Sequence, residues 1–521
     1  MIDTKALREK VLDLAIRGKL VPQDPNDEPA SVLLERIRTE KQQMVKDGKL
    51  KAKDIKNDTI IYKGDDNLHY EKFTDGSVKC IEDEIPFELP EGWEWSRLFS
   101  VSDIVTGSTP SKKNSEYYGG DFPFYKPTDL DQGENVCIAS EYLSDAGKSV
   151  SRIIPKYSTA VCCIGSIGKC GYILKEGTTN QQINTVIPSI ECKYTYYYCC
   201  SDFFVNQLLV ESSATTISII NKSKMSNLLV PIPPIQEQER IATKLDELIS
   251  FVNNIESDKT TLQDLIKQTK SKILNLAIRG KLVPQDLNDE PASVLIERIR
   301  AEKEELIKQG KIKRDKKESV IFKGEDNSYY LSVSDNKSYE EQIVFELPSN
   351  WAWCILPSIA KIDLGKTLDS AKNTGNNYQY LRSVNIRWGY IDLSDLNEMR
   401  FEDVEIERYS IQKNDLLICE GGDVGRSCVW ISDNKILYQN ALHRVRFYDE
   451  CNPFFFMYYM MYYESKGIIK ALCKGVTIKH LTGNVLSTIP FALPPLPEQT
   501  RIVKAIETAF AQLDEIANSI A

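Results

Sequence analysis

Apolar positions from Ile241 onward recur at alternating intervals of four and three residues, and this spacing predicts one long helix with a narrow apolar seam. Pro234 precedes the pattern and Gly280 follows it, as expected at the two ends of a helix. A helix of this length is not stable alone in water, so the seam requires a partner helix. The seam of this central helix comprises Ile241, Leu245, Leu248, Val252, Ile255, Leu262 and Ile266.

The C-terminal segment repeats the seam, with apolar residues at Ile502, Ile506, Leu513 and Ile516. The N-terminal segment, around Val11, carries further apolar positions of the same kind. We therefore predict that the two terminal segments together form a second rod, packed antiparallel on the central helix. An alternative is that each terminal helix is amphipathic and docks independently on its own domain.

An internal duplication organises the chain. Residues 12–38 match residues 274–300 at 24 of 27 positions. IPFELPEGWEW at Ile85–Trp95 pairs with IVFELPSNWAW at Ile343–Trp353, and PPIQEQERI at 233–241 pairs with PPLPEQTRI at 494–502. The interval is half the chain, which is far longer than a solenoid repeat and indicates a duplicated unit of two parts.

The segments between these matches diverge almost completely, and short strand-like runs followed by aromatic-rich helices predict an α+β domain in each. We call them the first head (residues 85–235) and the second head (residues 343–497). The predicted fold class is α+β, with two heads separated by an antiparallel two-helix coiled coil and a pseudo-two-fold within the chain. The other predicted segments are an N-terminal helical region with its linker at 1–84, the central helix, a capped helix and a linker at 236–342, and a C-terminal helix at 498–521.

Each repeat carries a shorter helix, which we expect to be capped by Ser31 or Ser293 and to end at Gly48 or Gly310. The Lys-rich linkers that follow, 49–56 and 311–317, are typical of solvated arms. The duplicated segments outside the heads, which we call the connectors, are nearly identical, whereas the two heads have diverged. This difference favours connectors that share one partner and heads that face two different targets.

Composition and charge exclude some classes of protein but do not identify a binding target. The 521 residues carry 65 basic and 75 acidic side chains. Residues 96–230 and 354–489 are each neutral, so the net charge of −10 resides outside these two blocks. The 13 irregularly spaced cysteines indicate reduced thiols, and three histidines make a His-rich metal site improbable. Without a long apolar stretch or a signal-peptide core, we expect a cytoplasmic protein with no membrane partner.

No catalytic constellation and no metal site is predicted. GSIGKCG is not a phosphate-binding loop and GGDVGR is not a dinucleotide fingerprint, because each lacks the required spacing or following helix. The loops of the heads instead carry side chains suited to base edges and phosphates. The candidate DNA-binding residues are Thr109, Ser111, Lys112, Lys113, Lys126, Lys169, Gln181 and Gln182 in the first head, and Arg382, Asn385, Arg387, Arg426, Gln439, Asn440, His443 and Arg444 in the second.

The arrangement resembles the specificity (S) subunits of type I restriction–modification systems. The resemblance spans nearly the whole chain and rests on the duplicated LAIRGKLVPQD segments, the FELPxxWxW openings and the PPIQEQERI and PPLPEQTRI helix entries. GSTP at 107–110, LLICEGGDVGR at 416–426 and QNALHRVRF at 439–447 look like target-recognition sequences of that family.

The resemblance implies two target-recognition domains that each read one half of a split double-stranded DNA sequence. It further implies conserved helices that bind two methyltransferase (M) subunits, with restriction (R) subunits joining the complex. On this expectation the chain is not an enzyme and holds no cofactor, whereas S-adenosylmethionine, ATP and magnesium belong to the partner subunits. Two alternatives remain: an assembly scaffold whose heads bind proteins or glycans, and a hydrolase with an unrecognised site.

Overall fold

The computed structural model divides into two compact units, Ile2–Lys259 (the N-terminal unit) and Thr260–Ala521 (the C-terminal unit). The central helix α7, Ile235–Ile278, begins in the first and continues into the second. The structure describes residues 2–51, 55, 58–212, 219–314, 319–324, 329–333, 337–341, 345–369, 371, 373–448, 451–473 and 480–520. The two predicted Lys-rich linkers lie in part outside these residues.

The N-terminal unit mixes helices and short strands, as predicted. Besides the start of α7, its helices are α1 Thr4–Ile16, α2 Ala30–Lys46, α3 Asp145–Ser149, α4 Cys192–Cys200, α5 Asp202–Glu211 and α6 Lys222–Ser226. Its strands are β1 Thr59–Lys63, β2 His69–Phe73, β3 Val78–Cys80, β4 Glu94–Arg97, β5 Ser102–Thr106, β6 Tyr118–Tyr125, β7 Glu141–Leu143, β8 Thr159–Cys162, β9 Cys170–Tyr172, β10 Thr178–Thr179, β11 Ile183–Pro188 and β12 Leu229–Ile232.

The C-terminal unit has the same composition of elements. Its helices after α7 are α8 Ala292–Lys308, α9 Leu356–Ile359, α10 Asp403–Ile406, α11 Pro453–Ser465, α12 Ile468–Leu472, α13 Gly483–Leu486 and α14 Leu496–Ile520. Its strands are β13 Ser319–Lys323, β14 Tyr329–Val333, β15 Lys337–Glu341, β16 Ala352–Ile355, β17 Ala360–Leu364, β18 Asn376–Leu381, β19 Ile386–Arg387, β20 Tyr390–Ile391, β21 Asn397–Phe401, β22 Ser410–Ile411, β23 Leu416–Cys419, β24 Ser427–Val429, β25 Ile436–Tyr438, β26 Leu442–Phe447 and β27 Pro490–Leu493.

The sheets of the two units have matching topologies although the head sequences differ. The order β5-β11-β8-β9 in one unit corresponds to β17-β26-β23-β24 in the other, and both sheets are antiparallel. A parallel pair, β6 with β10, corresponds to β18 with β25. Each head is also closed by pairing its opening Trp strand with the strand before the long helix, β4 with β12 and β16 with β27. The two heads therefore have the same fold.

In each unit, part of α7 runs antiparallel to a terminal helix or the segment beside it. In the N-terminal unit the Arg8 guanidinium donates to Asn253 at 2.6 Å, whereas Gln23, farther along, reaches back to Glu237 at 3.2 Å. The C-terminal unit repeats this geometry. There Lys270 pairs with Asp514 at 2.5 Å and Gln285 donates to Glu498 at 2.5 Å.

The predicted seam is buried in part, and Ile241, Leu245, Ile502 and Ile506 belong to the hydrophobic cores of the two units. Ile241, Leu245, Val252, Ile266, Ile502 and Ile506 are buried, while Leu248, Ile255, Leu262 and Leu513 are half-buried. Ile516 contradicts its assignment to the seam, because it is 44% exposed. The hydrophobic core of its unit reaches along α14 only as far as Phe510, so Ile516 lies beyond the core.

The prediction that Ser31 and Ser293 cap the shorter helices is wrong. Helices α2 and α8 each begin two residues earlier than a serine cap predicts, at Ala30 and Ala292, with the preceding proline in the cap position and no side-chain cap. The backbone N–H of Ala30 donates instead to the Gly92 carbonyl at 2.9 Å, and Ala292 donates equivalently to Asn350 at 2.9 Å. The loop before the head thus satisfies the helix terminus.

The aromatic-rich segments form core helices, as expected, but each is broken once. Ser201 separates α4 from α5 and accepts a hydrogen bond from the Phe204 N–H at 3.3 Å. Gly467, with φ +70°, separates α11 from α12. Burial of the tyrosines of α4 and the aromatic residues of α11 places them in the two largest cores.

A three-residue cluster, which we call the latch, joins each head to the start of its long helix. In the N-terminal unit Glu237 is 1% exposed and accepts hydrogen bonds from the Trp93 indole at 3.0 Å and from Gln23 at 3.2 Å. Burial raises the pKa of Glu237, and the bonds from Trp93 and Gln23 partly offset that rise.

The C-terminal unit carries the same latch from Gln285, Trp351 and Glu498. The Trp351 indole donates to Glu498 at 3.0 Å, and burial raises the pKa of this carboxyl also. A salt bridge beside each latch is repeated as well. Asp27 pairs with Arg240 at 2.5 Å, and Asp289 pairs with Arg501 at 2.6 Å. The duplicated segments therefore preserve the attachment of head to helix.

Among the described helices, none combines the length and the apolar character needed to cross a bilayer.

Candidate nucleic-acid interface

The first head brings two of its polar loops together at the end of β5. Gly107 leaves that strand and donates its N–H to the Ile183 carbonyl at 3.0 Å, and Ser108 donates to Thr179 at 2.9 Å. A Cβ atom on Gly107 would lie 2.1 Å from the Asn180 carbonyl oxygen, so only glycine permits this approach. The junction places the exposed Thr109 hydroxyl in a hydrogen bond with the Gln181 side chain.

The second head builds the same junction with other side chains. Gly365 donates to the Leu442 carbonyl at 3.2 Å, and a Cβ atom there would lie 2.2 Å from the Gln439 carbonyl oxygen. Lys366 occupies the position of Ser108 and donates its N–H to Tyr438 at 3.1 Å. We call Gly107–Thr109 with residues 180–182, and Gly365–Lys366 with residues 439–440, the first and second reading junctions.

A glycine turn with a basic residue lies next to each junction. Its two glycines have positive φ, +82° and +84° at Gly165 and Gly168, and +76° and +83° at Gly422 and Gly425. The turn closes in the same way in both heads, because Cys162 donates to the Lys169 carbonyl and Cys419 to the Arg426 carbonyl, each at 2.8 Å. GSIGKCG and GGDVGR are thus one structural element that presents Lys169 or Arg426.

The candidates fall into three classes of exposure. Thr109, Ser111, Lys112, Lys113 and Gln181 are exposed, while Lys126, Lys169, Gln182, Arg382, Arg387, Arg426, Gln439 and Asn440 are half-buried. In the second head several candidates converge, since Arg426 donates to the Ser383 carbonyl at 3.0 Å and Arg382 lies in the same loop.

Burial contradicts the prediction that three of the candidates bind DNA. The Asn385 amide donates to the carbonyls of Asp392 and Asp395 at 3.0 and 2.9 Å, so it holds a loop together. His443 is 2% exposed and bonded to the Leu481 carbonyl at 2.8 Å, and burial lowers its pKa. Arg444, also 2% exposed, pairs with Asp363 at 2.5 Å. The structure leaves none of these three side chains available to DNA.

Carboxylates pair with several of the remaining basic candidates. Lys126 pairs with Glu141 at 2.8 Å, and Lys169 pairs with Asp131 at 2.6 Å. Arg382 pairs with Asp395 at 2.7 Å, and Arg426 pairs with Asp423. The side chains of Asp131, Asp395 and Asp423 are 73–76% exposed, so such pairs contribute only about 0–1 kcal/mol and phosphate can replace the acid.

Two residues of the junctions were missed from the sequence. Lys366 is 7% exposed, pairs with Glu405 and lies 5.1 Å from the Phe401 ring centroid, so it supports the second junction from inside. Its position after Gly365 matches Ser108 after Gly107, an equivalence that the FELPxxWxW alignment could have revealed. The exposed Arg152 donates to the Thr106 carbonyl at 2.7 Å beside the first junction, and no sequence pattern marks it.

No group of three or more potential metal ligands occurs in the described part of the chain. The thirteen cysteines are free thiols, of which most are buried or half-buried.

The matching sheets and junctions define a chain that carries two copies of one domain. The model of the type I restriction modification DNA specificity domain matches residues 90–264 and 348–520. The chain belongs to this family, and it is a non-catalytic specificity subunit with two copies of the DNA-specificity domain.

Relatives and a solved structure agree with this assignment. The chain is 28% identical to the type I restriction enzyme EcoAI specificity subunit of Escherichia coli over 96% of its own length and 88% of the relative's. It is 27% identical to the EcoEI specificity subunit of the same species, over 99% and 90%. A solved chain from work on complex assembly and conformational transition of the type I R-M system superposes with a TM-score of 0.52 at 18% identity, covering 84% of this chain and 94% of that one. That likeness concerns the fold.

Proposed function

We propose that the two heads read the two halves of a bipartite double-stranded DNA sequence. The observation that carries this proposal is the pair of reading junctions, in which one backbone frame presents different side chains. Gln181 corresponds to Asn440 and Lys169 to Arg426. A common frame docks both heads on DNA in the same manner, whereas different side chains select different bases.

The side chains divide by the part of DNA that they suit. Gln181 and Asn440 carry amides that match the donor and acceptor pattern of adenine in the major groove. The half-buried Arg387 carries the guanidinium that suits guanine. Lys112 and Lys113 are exposed on the loop after the first junction, and they contact phosphates and fix the register.

The connectors bind two copies of one methyltransferase subunit, and restriction subunits complete the assembly. Two features support this proposal: the near identity of the duplicated segments and the apolar residues that they expose at equivalent positions. Val32 on α2 is 49% exposed, and Val294 on α8 is 42% exposed. S-adenosylmethionine, ATP and magnesium are held by those partners, which supply the methyl transfer and the ATP-dependent steps.

Helix α7 sets the distance between the two half-sites. Its 44 residues span about 66 Å. Lengthening α7 by one heptad changes the gap between the half-sites or abolishes recognition.

The deciding experiment exchanges residues 96–230 for the corresponding segment of a relative with another specificity. The complex with its methyltransferase partner is then tested by footprinting and by methylation-site sequencing. One half of the recognised sequence changes and the other half persists. The matched control exchanges residues 354–489, which changes the opposite half. Equal binding to all duplexes, or a change in both halves from either exchange, contradicts the proposal.

A further inference from the structure

We propose that Cys170 and Cys200 form a hydroperoxide-sensitive dithiol, a modification site present in the first head only. The two Sγ atoms lie 3.1 Å apart, one at the start of β9 and the other at the end of α4. Both residues are half-buried, neither wholly exposed nor in the fully enclosed core. A disulfide needs a sulfur separation of about 2.05 Å, hence the atoms must approach by only about 1 Å.

The site links a reading element to the connector. Cys170 directly follows Lys169, the basic residue of the glycine turn. Helix α4, which ends at Cys200, is tied to α7 by the Lys193–Asp246 ion pair at 2.9 Å and by the bond from the Glu191 N–H to Gln238 at 3.0 Å. A Cys170–Cys200 disulfide therefore joins the turn covalently to a helix that is held by the long connector.

The second head provides an internal control. Strand registers match Cys170 with Ser427, because β8 pairs Val161 with Cys170 and β23 pairs Ile418 with Ser427. Helix α11 starts as α4 does, with the Asn452 N–H bonded to Gln499 at 2.9 Å, which places Met461 at the position of Cys200. A serine and a methionine cannot form a disulfide, so the second head lacks this dithiol at the equivalent position.

The reaction consumes one hydroperoxide. The Cys200 thiolate attacks a peroxide oxygen, the O–O bond breaks, and the leaving hydroxide takes a proton as water, which leaves a sulfenic acid. The Cys170 sulfur then attacks the Cys200 sulfur, the S–O bond breaks, and the hydroxide leaves as a second water with the Cys170 proton. The two thiols lose two electrons in total, and hydrogen peroxide is reduced to two waters.

Peptide mapping of the full chain tests the site. The reduced protein is treated with hydrogen peroxide, alkylated under denaturing conditions and digested without reductant. We expect one cross-linked peptide pair that contains Cys170 and Cys200, lacks two hydrogens and disappears with dithiothreitol. Cys170→Ser and Cys200→Ser each remove it, whereas Cys137→Ser, at an exposed thiol, leaves it in place. Alkyl labels on both residues after oxidation, or pairing of either with another cysteine, overturns the proposal.

The functional consequence rests on the proposed reading of DNA and has a separate readout. In the oxidised complex we expect a several-fold change in discrimination at the half-site of the first head, no change at the other half-site, and full reversal by dithiothreitol. Cys200→Ser abolishes the change. A disulfide that leaves both half-sites unaffected, or alters both, refutes the link to recognition. Failure of the reduced complex to discriminate sequences refutes the proposed function instead, while the peptide map still decides the dithiol.

Discussion

The indole nitrogen of Trp93 lies 3.0 Å from a carboxylate oxygen of Glu237, although 144 residues separate them in the chain. Trp351 and Glu498 repeat the bond at the same distance in the C-terminal unit. Trp lies in the opening segment of each head and Glu in the first turn of each long helix, so the same hydrogen bond fastens each of two unlike heads to its helix. The two heads can therefore differ in sequence while each keeps the same attachment to its long helix.

Loss of the indole donor should destabilise the attachment. In Trp93→Phe the buried Glu237 carboxylate loses a hydrogen bond, and an unsatisfied buried acceptor costs about 1–3 kcal/mol. We expect a lower free energy of unfolding by that amount, measured by urea denaturation. Trp351→Phe is the matched variant and should cost a similar amount in the other unit. An unchanged stability in both variants would show that the latch does not hold the heads.

The latch carboxyl should also make stability depend on pH. Burial raises the pKa of Glu237 above its ordinary value of 4.5, so the folded chain holds this proton to higher pH than the unfolded chain does. The stabilisation that this bound proton provides is complete at pH values below the pKa of Glu237 in the unfolded chain. It is lost as pH rises through the pKa of Glu237 in the folded chain. Glu237→Gln keeps an acceptor but does not titrate.

We therefore expect the stability of Glu237→Gln relative to the wild type to increase from below pH 4.5 to neutral pH. Thermal unfolding of both proteins across this range measures the difference and cancels the other titrating groups. A relative stability that falls with rising pH would contradict the raised pKa.

The close approach at the reading junctions should make their glycines irreplaceable. Gly107→Ala brings a Cβ atom to 2.1 Å from a backbone oxygen, and Gly365→Ala brings one to 2.2 Å. Relieving such a clash costs about 1–3 kcal/mol and moves the loops that read DNA. Gly483→Ala is the control, since its Cβ would meet the nearest atom at an ordinary 3.7 Å. Binding to matched and mismatched duplexes should weaken for the junction variants and remain unchanged for the control.

Substitutions at equivalent amides should relax different halves of the target. Gln181→Ala and Asn440→Ala each remove one side chain from a reading junction. We expect each to lose about 1–3 kcal/mol of discrimination at one base pair, on opposite sides of the gap. Binding to duplex libraries randomised in one half-site at a time measures the effect. Loss on the same side from both variants would refute the equivalence of the junctions.

The basic residue of the glycine turn should act through phosphate. Lys169→Ala should weaken all duplexes by a similar factor and reduce the slope of log affinity against log salt by about 0.9. The exposed Lys46 lies at the end of α2, outside the heads, and Lys46→Ala should leave the slope unchanged. A sequence-dependent loss without a change of slope would assign Lys169 to base recognition.

Local pattern and internal duplication are the features of this chain that predict its structure best. The seam beginning at Ile241 predicted the long helix, and Pro234 and Gly280 bracket the observed span Ile235–Ile278. The same approach failed at Ser31, because the helix terminus is satisfied by a carbonyl of the distant residue Gly92. Propensity describes a segment alone, whereas that bond depends on where the chain returns.

The two-part repeat, the α+β class, the long helix and the family can thus be predicted from the residues in order along the chain. Which polar residues are accessible depends on the folded structure. The sequence predicted His443 and Arg444 as DNA-binding residues, but each is only 2% exposed. Lys366, which was not predicted from the sequence, supports a reading junction. The folded structure also showed that two unlike heads share one frame, since strand register and backbone hydrogen bonds constrain the path of the chain and leave outward side chains free to diverge. Pairwise contacts between distant segments create burial, and a linear pattern of residue types does not encode them directly.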